Sequence, residues 1–349
     1  MAAFAQSDLQ PVAIVRLTKS EPITVKQLKS ELEKAVWPTM IQRLARLPTA
    51  AELDREIRNL SIEERRFALD AMINERLAMQ AAERDRITVA ESEINQQITQ
   101  LKTQMTQILG RQPTDEEFAT AVKNETGRDL PELRDYIKRQ ALVQKYMVSK
   151  KQSHFTNIKE PTEAEIINHF NLTRTQYVRP EMVRFSMIAV PFGTDTASKT
   201  KAKEVIDRLN REIGMNSSRF DEAVIKSQSP NSGYRAGDGG YLPRNQAAQQ
   251  RAGTEFVNTA FTLKQGEVSR VIEGNQAYHI IKVTENLPQK SLELDEILEP
   301  GTSVTVRQFI AVGLLQQAQQ EAVNRATQEL VTELRTGNPF DVMANNLAW

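Results

Sequence analysis

The feature that most limits what this chain can fold into is where its glycines lie. Nine of the 14 glycines fall between Gly193 and Gly274, and only Gly110 and Gly127 precede them. Glycine tolerates positive φ and close backbone approach. The cluster therefore predicts tight turns in a compact α+β unit, one of them at Gly237-Asp238-Gly239-Gly240-Tyr241. The stretch before it reads as almost pure helix. A hydroxyl followed three residues later by Glu or Gln marks a helix start, because the hydroxyl accepts from the N3 amide while the longer side chain reaches back. Such pairs occur at Thr24 and Gln27, Ser61 and Glu64, Thr88 and Glu91, Thr114 and Glu117, and Thr162 and Glu165. They require a series of helices before residue 170.

The apolar faces follow helical spacing. Leu69, Met72, Ile73 and Leu77 form one stripe, and Ile94, Ile98, Leu101, Met105 and Ile108 form another. The second is a narrow seam on a glutamine-rich helix. It buries little alone, so it needs partner helices or stands half open as a groove. Residues 11–24 read as a short strand or small hairpin. After Pro180 the period changes, and residues 183–190 alternate as a strand. Helices are expected at about 199–213, 220–226 and 254–261, then an apolar closing strand at 278–283. Pro288 opens a linker containing Pro300-Gly301. One long helix, roughly 306–335, stops before Gly337-Asn338-Pro339. Its apolar positions (Leu314, Ala318, Val323, Leu330, Leu334) have no neighbour in their own segment, so they are expected to pack on the amino-terminal helices. The expected fold class is α+β and multidomain: a helical domain at 1–180, a small α+β domain at 181–287, and at 288–349 a linker and a helix returning to the first domain. A length of 349 residues agrees with two or three domains.

Composition narrows the partners. Formal net charge is zero, basic residues do not gather in blocks, and 6% of residues are aromatic, which argues against nucleic acid. There is no cysteine, and the only histidines are His154, His169 and His279, so no metal, cofactor or cysteine-linked lipid is expected. Absence of cysteine suits an oxidising compartment, although many cytosolic proteins also lack it. No apolar run is long enough to span a membrane. Ala3-Phe4-Ala5 before Gln6-Ser7-Asp8 offers the small residues a signal peptidase requires, with no apolar stretch ahead of it. The expectation is the tail of a signal peptide already removed, and hence a soluble periplasmic protein.

An ordered succession of short patterns then points to a family. It comprises the strand at 183–190, Phe220-Asp221-Glu222-Ala223-Val224 leading to Ser227, and Gly237-Asp238-Gly239-Gly240-Tyr241. Phe256-Val257-Asn258-Thr259-Ala260-Phe261, Lys264-Gln265-Gly266-Glu267-Val268-Ser269 and Tyr278-His279-Ile280-Ile281-Lys282-Val283 complete it. The middle domain resembles the parvulin type of peptidyl-prolyl isomerase, and the whole layout resembles the SurA and PrsA class of secreted foldases. Outside the domain the likeness rests on layout and on patches such as Ala71-Met72-Ile73-Asn74-Glu75-Arg76-Leu77.

Rotation about X–Pro faces a barrier of about 18–20 kcal/mol because the amide is conjugated. A catalyst need only seat the ring in an apolar pocket, shield the carbonyl from water and favour the twisted amide. Parvulins are similar to one another in using two facing histidines, an acid or thiol near the carbonyl, a hydroxyl behind the second histidine, and an apolar proline pocket. Carried over by resemblance, the second histidine is His279 and the pocket phenylalanine is Phe256. The first histidine falls at Met187, the acid or thiol at Ser229, and the supporting hydroxyl at Gln276 or Gly274. A pocket leucine and methionine become Gly239 and Ala252, which removes apolar wall. Tyr241, Leu242 and Met187 complete the substrate-binding set. Read from the residues alone, His279 and Phe256 also fit a strand and a helix that simply bury them.

The resemblance implies a periplasmic chaperone for unfolded outer-membrane or secreted polypeptides, with a weakly active or inactive isomerase domain retained as a peptide-binding module. Its working surface is expected between the amino-terminal helices and the long carboxy-terminal helix, where methionine, at ten per chain, suits varied partners. The alternative is an active peptidyl-prolyl cis–trans isomerase acting on proline-containing chains. A purely structural scaffold fits less well. A homodimer stays open.

Overall fold

The computed structural model describes residues 8–229 and 232–349. The Ala3-Phe4-Ala5 pattern lies outside them. The first segment runs through β1 (Pro11–Val15), β2 (Glu21–Thr24), α1 (Val25–Leu44), α2 (Ala50–Asn59), α3 (Ile62–Arg84), α4 (Glu91–Leu109), α5 (Asp115–Thr126), α6 (Leu130–Lys150) and α7 (Gln152–Thr156). The middle follows with α8 (Glu163–Thr173), β3 (Val178–Arg179), β4 (Met182–Pro191), α9 (Thr196–Ile213), α10 (Ser217–Lys226), β5 (Arg235–Pro243), α11 (Gln246–Ala252), α12 (Thr254–Thr262), β6 (Ile272–Glu273), β7 (Ala277–Leu287) and β8 (Lys290–Ser291). The last elements are α13 (Val306–Arg335) and β9 (Phe340–Val342). Two compact units result. One comprises residues up to Ile158 together with Gln317–Trp349, the other Lys159–Gln316.

In the first unit, reciprocal side-chain caps open α1 at Thr24, α3 at Ser61 and α5 at Thr114, as their spacing requires. The same device opens α2 at Thr49 and α6 at Asp129. Thr88 is not a cap. The Ile87 amide still bonds back to the Ala82 carbonyl at 2.9 Å, closing α3, so α4 cannot begin there. It begins after Ala90, whose amide donates to the Glu93 carboxylate at 2.8 Å.

One core joins the two ends of the sequence. Val12 and Val15 of β1, Leu69, Ile73 and Leu77 of α3, and Leu330 and Leu334 of α13 bury themselves together. The strands order β2-β1-β9, all antiparallel, with Ala13 opposite Val342. Arg65, 4% exposed, donates to the carbonyls of Leu347 (2.7 Å), Trp349 (2.9 Å) and Arg58 (2.7 Å), and its guanidinium lies 4.0 Å from the Trp349 ring centre. The first two bonds satisfy carbonyls of the last residues, and the third a carbonyl at the end of α2. The glutamine-rich seam is covered at one end only: Ile94 is buried with Phe118 and Leu133, whereas Ile108 is 85% exposed.

The second unit holds a four-stranded antiparallel sheet in the order β5-β4-β7-β6. Alternation along β4 sends Ile188 and Val190 to one face, where α9 and α10 cover them, and Val183 and Phe185 to the other, against α12. Two expectations change here. The glycine run at 237–240 is not a turn but part of β5, paired along β4, with a bulge opposite Phe185 and Ser186 and only Gly240 of the run at positive φ (+74°). Residues 288–305 are not a free linker either. β8 pairs with β3, and Leu292 is buried with Ile166, Phe170, Tyr177, Val306 and Ile310. The units therefore divide at Ile158 and Gln316 rather than at Pro180 and Pro288, because this small cluster draws both flanking segments onto the sheet unit.

Candidate functional site

The face of the sheet under α11 and α12 carries the cavity that the sequence motifs foreshadow. Period-two alternation on β7 turns Tyr278 and Ile280 to the α9 side and leaves His279 on the other. On β4 the same rule brings Met187 to the face that holds Phe185. Ala189 pairs with His279 and Met187 with Ile281, so Met187 and His279 are diagonal neighbours on adjacent strands. Phe256 comes from α12, a helix whose Val257 and Ala260 anchor it to the sheet. Together they border a cavity of 870 Å³.

Three rings run edge to face through this site. Phe185 and Phe256 have centroids 5.4 Å apart at 72°, and Phe256 and His279 are 5.2 Å apart at 82°. His279 Nδ1 is buried with no hydrogen-bond partner. Its Nε2 lies against Gly274, where a Cβ would come within 2.8 Å of it. Burial depresses the imidazole pKa below its ordinary value, so the ring is neutral at pH 7.

The other expected residues fall as follows. Gln276, Ala252, Tyr241 and Leu242 line the cavity. The Gln276 backbone carbonyl accepts from the Phe192 amide at 3.0 Å, and no hydrogen bond from its side chain reaches His279. Leu242 is 3% exposed and belongs to the core as much as to the cavity. The Tyr241 hydroxyl donates to Glu285 at 2.7 Å, and that bond raises its pKa. Ser229 is a correction. It is exposed in the turn that ends α10, its amide bonded to the Lys226 carbonyl at 3.1 Å, and it does not line the cavity.

The loss of wall at Gly239 is also corrected. A Cβ on Gly239 would collide with the Phe185 ring, so that ring already fills the space a larger residue would take. Phe185 is the site residue that motif reading missed. Its signal is present in the alternation of β4, which places it with Met187. Arg184 and Asp238, paired at 2.7 Å across β4 and β5, flank the site without entering it. None of the described residues lining the cavity is acidic.

Several known proteins are similar to this chain. The family model for the PPIC-type peptidyl-prolyl isomerase domain matches residues 161–299. Chaperone SurA of Alcanivorax borkumensis is 26% identical over 253 residues, covering 67% of this chain and 53% of that protein. The chain thus spans little more than half the length of that relative. Foldase protein PrsA of Staphylococcus aureus is 33% identical over 84 residues, 24% of each chain. A solved chain from a study of two SurA-like chaperones of Campylobacter jejuni, PEB4 and the periplasmic protein Cj1289, aligns over 96% of this chain and all of its own, with 12% identity and a TM-score of 0.39.

Proposed function

We propose that this SurA/PrsA-like chain, with a PPIC-type rotamase domain at its centre, is a periplasmic chaperone for unfolded outer-membrane or secreted polypeptides. Its parvulin-like domain binds peptide and isomerises proline weakly or not at all. The observation that carries the reading is the state of His279: neutral, half-buried, unpartnered at Nδ1, and set among rings rather than beside an acid or a second imidazole. Seating a proline ring against Phe256 needs only apolar contact, which the cavity supplies. Lowering a barrier of about 18–20 kcal/mol needs donors or charge aimed at the twisted amide; the described lining offers Gln250, Arg251, Asn275 and Gln276 as donors, but no acid and no second imidazole. Location in the periplasm is supported by the absence of cysteine and the likeness to SurA. Among the described residues no helix is long and apolar enough to cross a membrane.

The test uses the full chain in two assays. With a proline peptide, cis–trans exchange is expected to run close to its uncatalysed rate, tens of seconds or slower. With an unfolded outer-membrane barrel protein, the same chain is expected to suppress aggregation. Turnover near that of an intact parvulin would favour the active-isomerase alternative. Failure to hold the unfolded barrel would remove the chaperone reading.

A further inference from the structure

The same unit contains a second cleft, larger than the first at 970 Å³. Its walls come from three separate places: Tyr177 and Val178 near β3, Leu298 and Pro300 in the segment after β8, and Phe309 in the first turns of α13. Tyr241 of β5 lines both this cleft and the His279 cavity. Neighbouring residues of β5 divide between the two, Gly239 bordering the cavity and Gly240 the second cleft. A Cβ at Gly240 would meet nothing within 4 Å, so the strand is open there. β5 is also the edge strand of its sheet. Phe309 is 52% exposed although it is a large apolar residue on a well-formed helix. The charges of Arg184 and Asp238, which also border the cleft, are spent on each other at 2.7 Å.

We infer that the two clefts are adjoining subsites for one extended polypeptide. A residue seated beside Phe256 is followed, or preceded, by an apolar side chain of the same client held among Tyr177, Tyr241 and Phe309. The inference rests on the reading of this domain as a peptide-binding module. The occupant is an extended chain for two reasons. A strand advances about 3.3 Å per residue with side chains alternating, which suits side-chain subsites parted by a single strand. An edge strand, moreover, offers unpaired backbone groups to a chain laid beside it. Apolar anchoring follows from the three rings and from the pairing of Arg184 with Asp238, while Arg179 and Glu299 stand as charges at the border of the cleft.

The experiment is fluorescence anisotropy on the full chain with three labelled, capped peptides. One is a tetrapeptide, Ala-Ala-Pro-Ala. The other two add four residues containing a leucine, one at the amino end and one at the carboxyl end. One of the longer peptides is expected to bind about tenfold tighter than the tetrapeptide. Phe309→Ala, at a half-exposed position, is expected to erase that gain while leaving tetrapeptide binding unchanged. If neither extension gains affinity, or Phe309→Ala weakens all three peptides alike, the second subsite is wrong and the peptide-binding module stands. If the wild-type chain binds none of the three, the module fails and this inference with it.

Discussion

A half-buried neutral imidazole ties the stability of the sheet unit to pH over a narrow range. In the unfolded chain His279 takes up a proton as pH falls past its ordinary value of 6.5, whereas in the fold burial delays that step. The contribution is therefore fully present above about pH 6.5 and is lost as pH falls through the depressed folded value. Unfolding midpoints measured from pH 7.5 downward are expected to decline below 6.5, and the decline should be shallower in His279→Gln. An identical slope in the variant would mean that the ring is solvated. At this scale the sequence was most informative where a residue sits in a regular element, as Phe256 does on α12. His279 and Met187 follow from period-two alternation, which any reading of β4 and β7 contains. Ser229 does not, because its place depends on a turn whose path is decided by local amide bonds.

Elements were legible in proportion to how local their determinants are. A reciprocal cap involves two side chains three residues apart, so Thr24, Ser61, Thr114 and Thr162 announce their helices. Thr49 carries the same signature but starts a ten-residue helix with only Leu53 and Ile57 to bury, a weak apolar pattern. β5 was misread because its glycines speak for a turn, while its strand pairing is imposed from outside by β4. What makes glycine necessary there is Phe185 on the neighbouring strand. Gly239→Leu is expected to destabilise by about 1–3 kcal/mol through overpacking, and Phe185→Ala by about 3–5 kcal/mol through loss of the ring. Combined, the new leucine occupies the vacated space, so the double variant should fall short of the sum by about 1 kcal/mol or more. Denaturant titration of the four proteins reads this directly. Simple additivity would show that the two positions do not share one volume.

At the scale of the whole molecule, the first unit is discontinuous in sequence, and that has a consequence for truncation. β9 pairs with β1 across more than three hundred residues, a contact no local pattern in Phe340-Asp341-Val342 could announce. Leu330, Leu334 and Leu347 sit in the same core as Val12 and Leu69. Each fully buried leucine contributes about 1.5–3 kcal/mol, so removing the three forfeits about 5–9 kcal/mol. Total stabilities of single domains are about 5–15 kcal/mol, so the loss competes with the whole. The pairing of β9 and the Arg65 bonds to the Leu347 and Trp349 carbonyls would go as well. The sheet unit, by contrast, keeps its clusters within residues 159–316. A chain ending at Gln316 is therefore expected to keep slow amide exchange in β4 and β7 while losing protection in β1 and α3. Protection retained in β1 and α3 would mean that the amino-terminal helices close their own core without α13. Loss of protection in β4 and β7 would mean that the sheet unit draws its stability from beyond its own clusters.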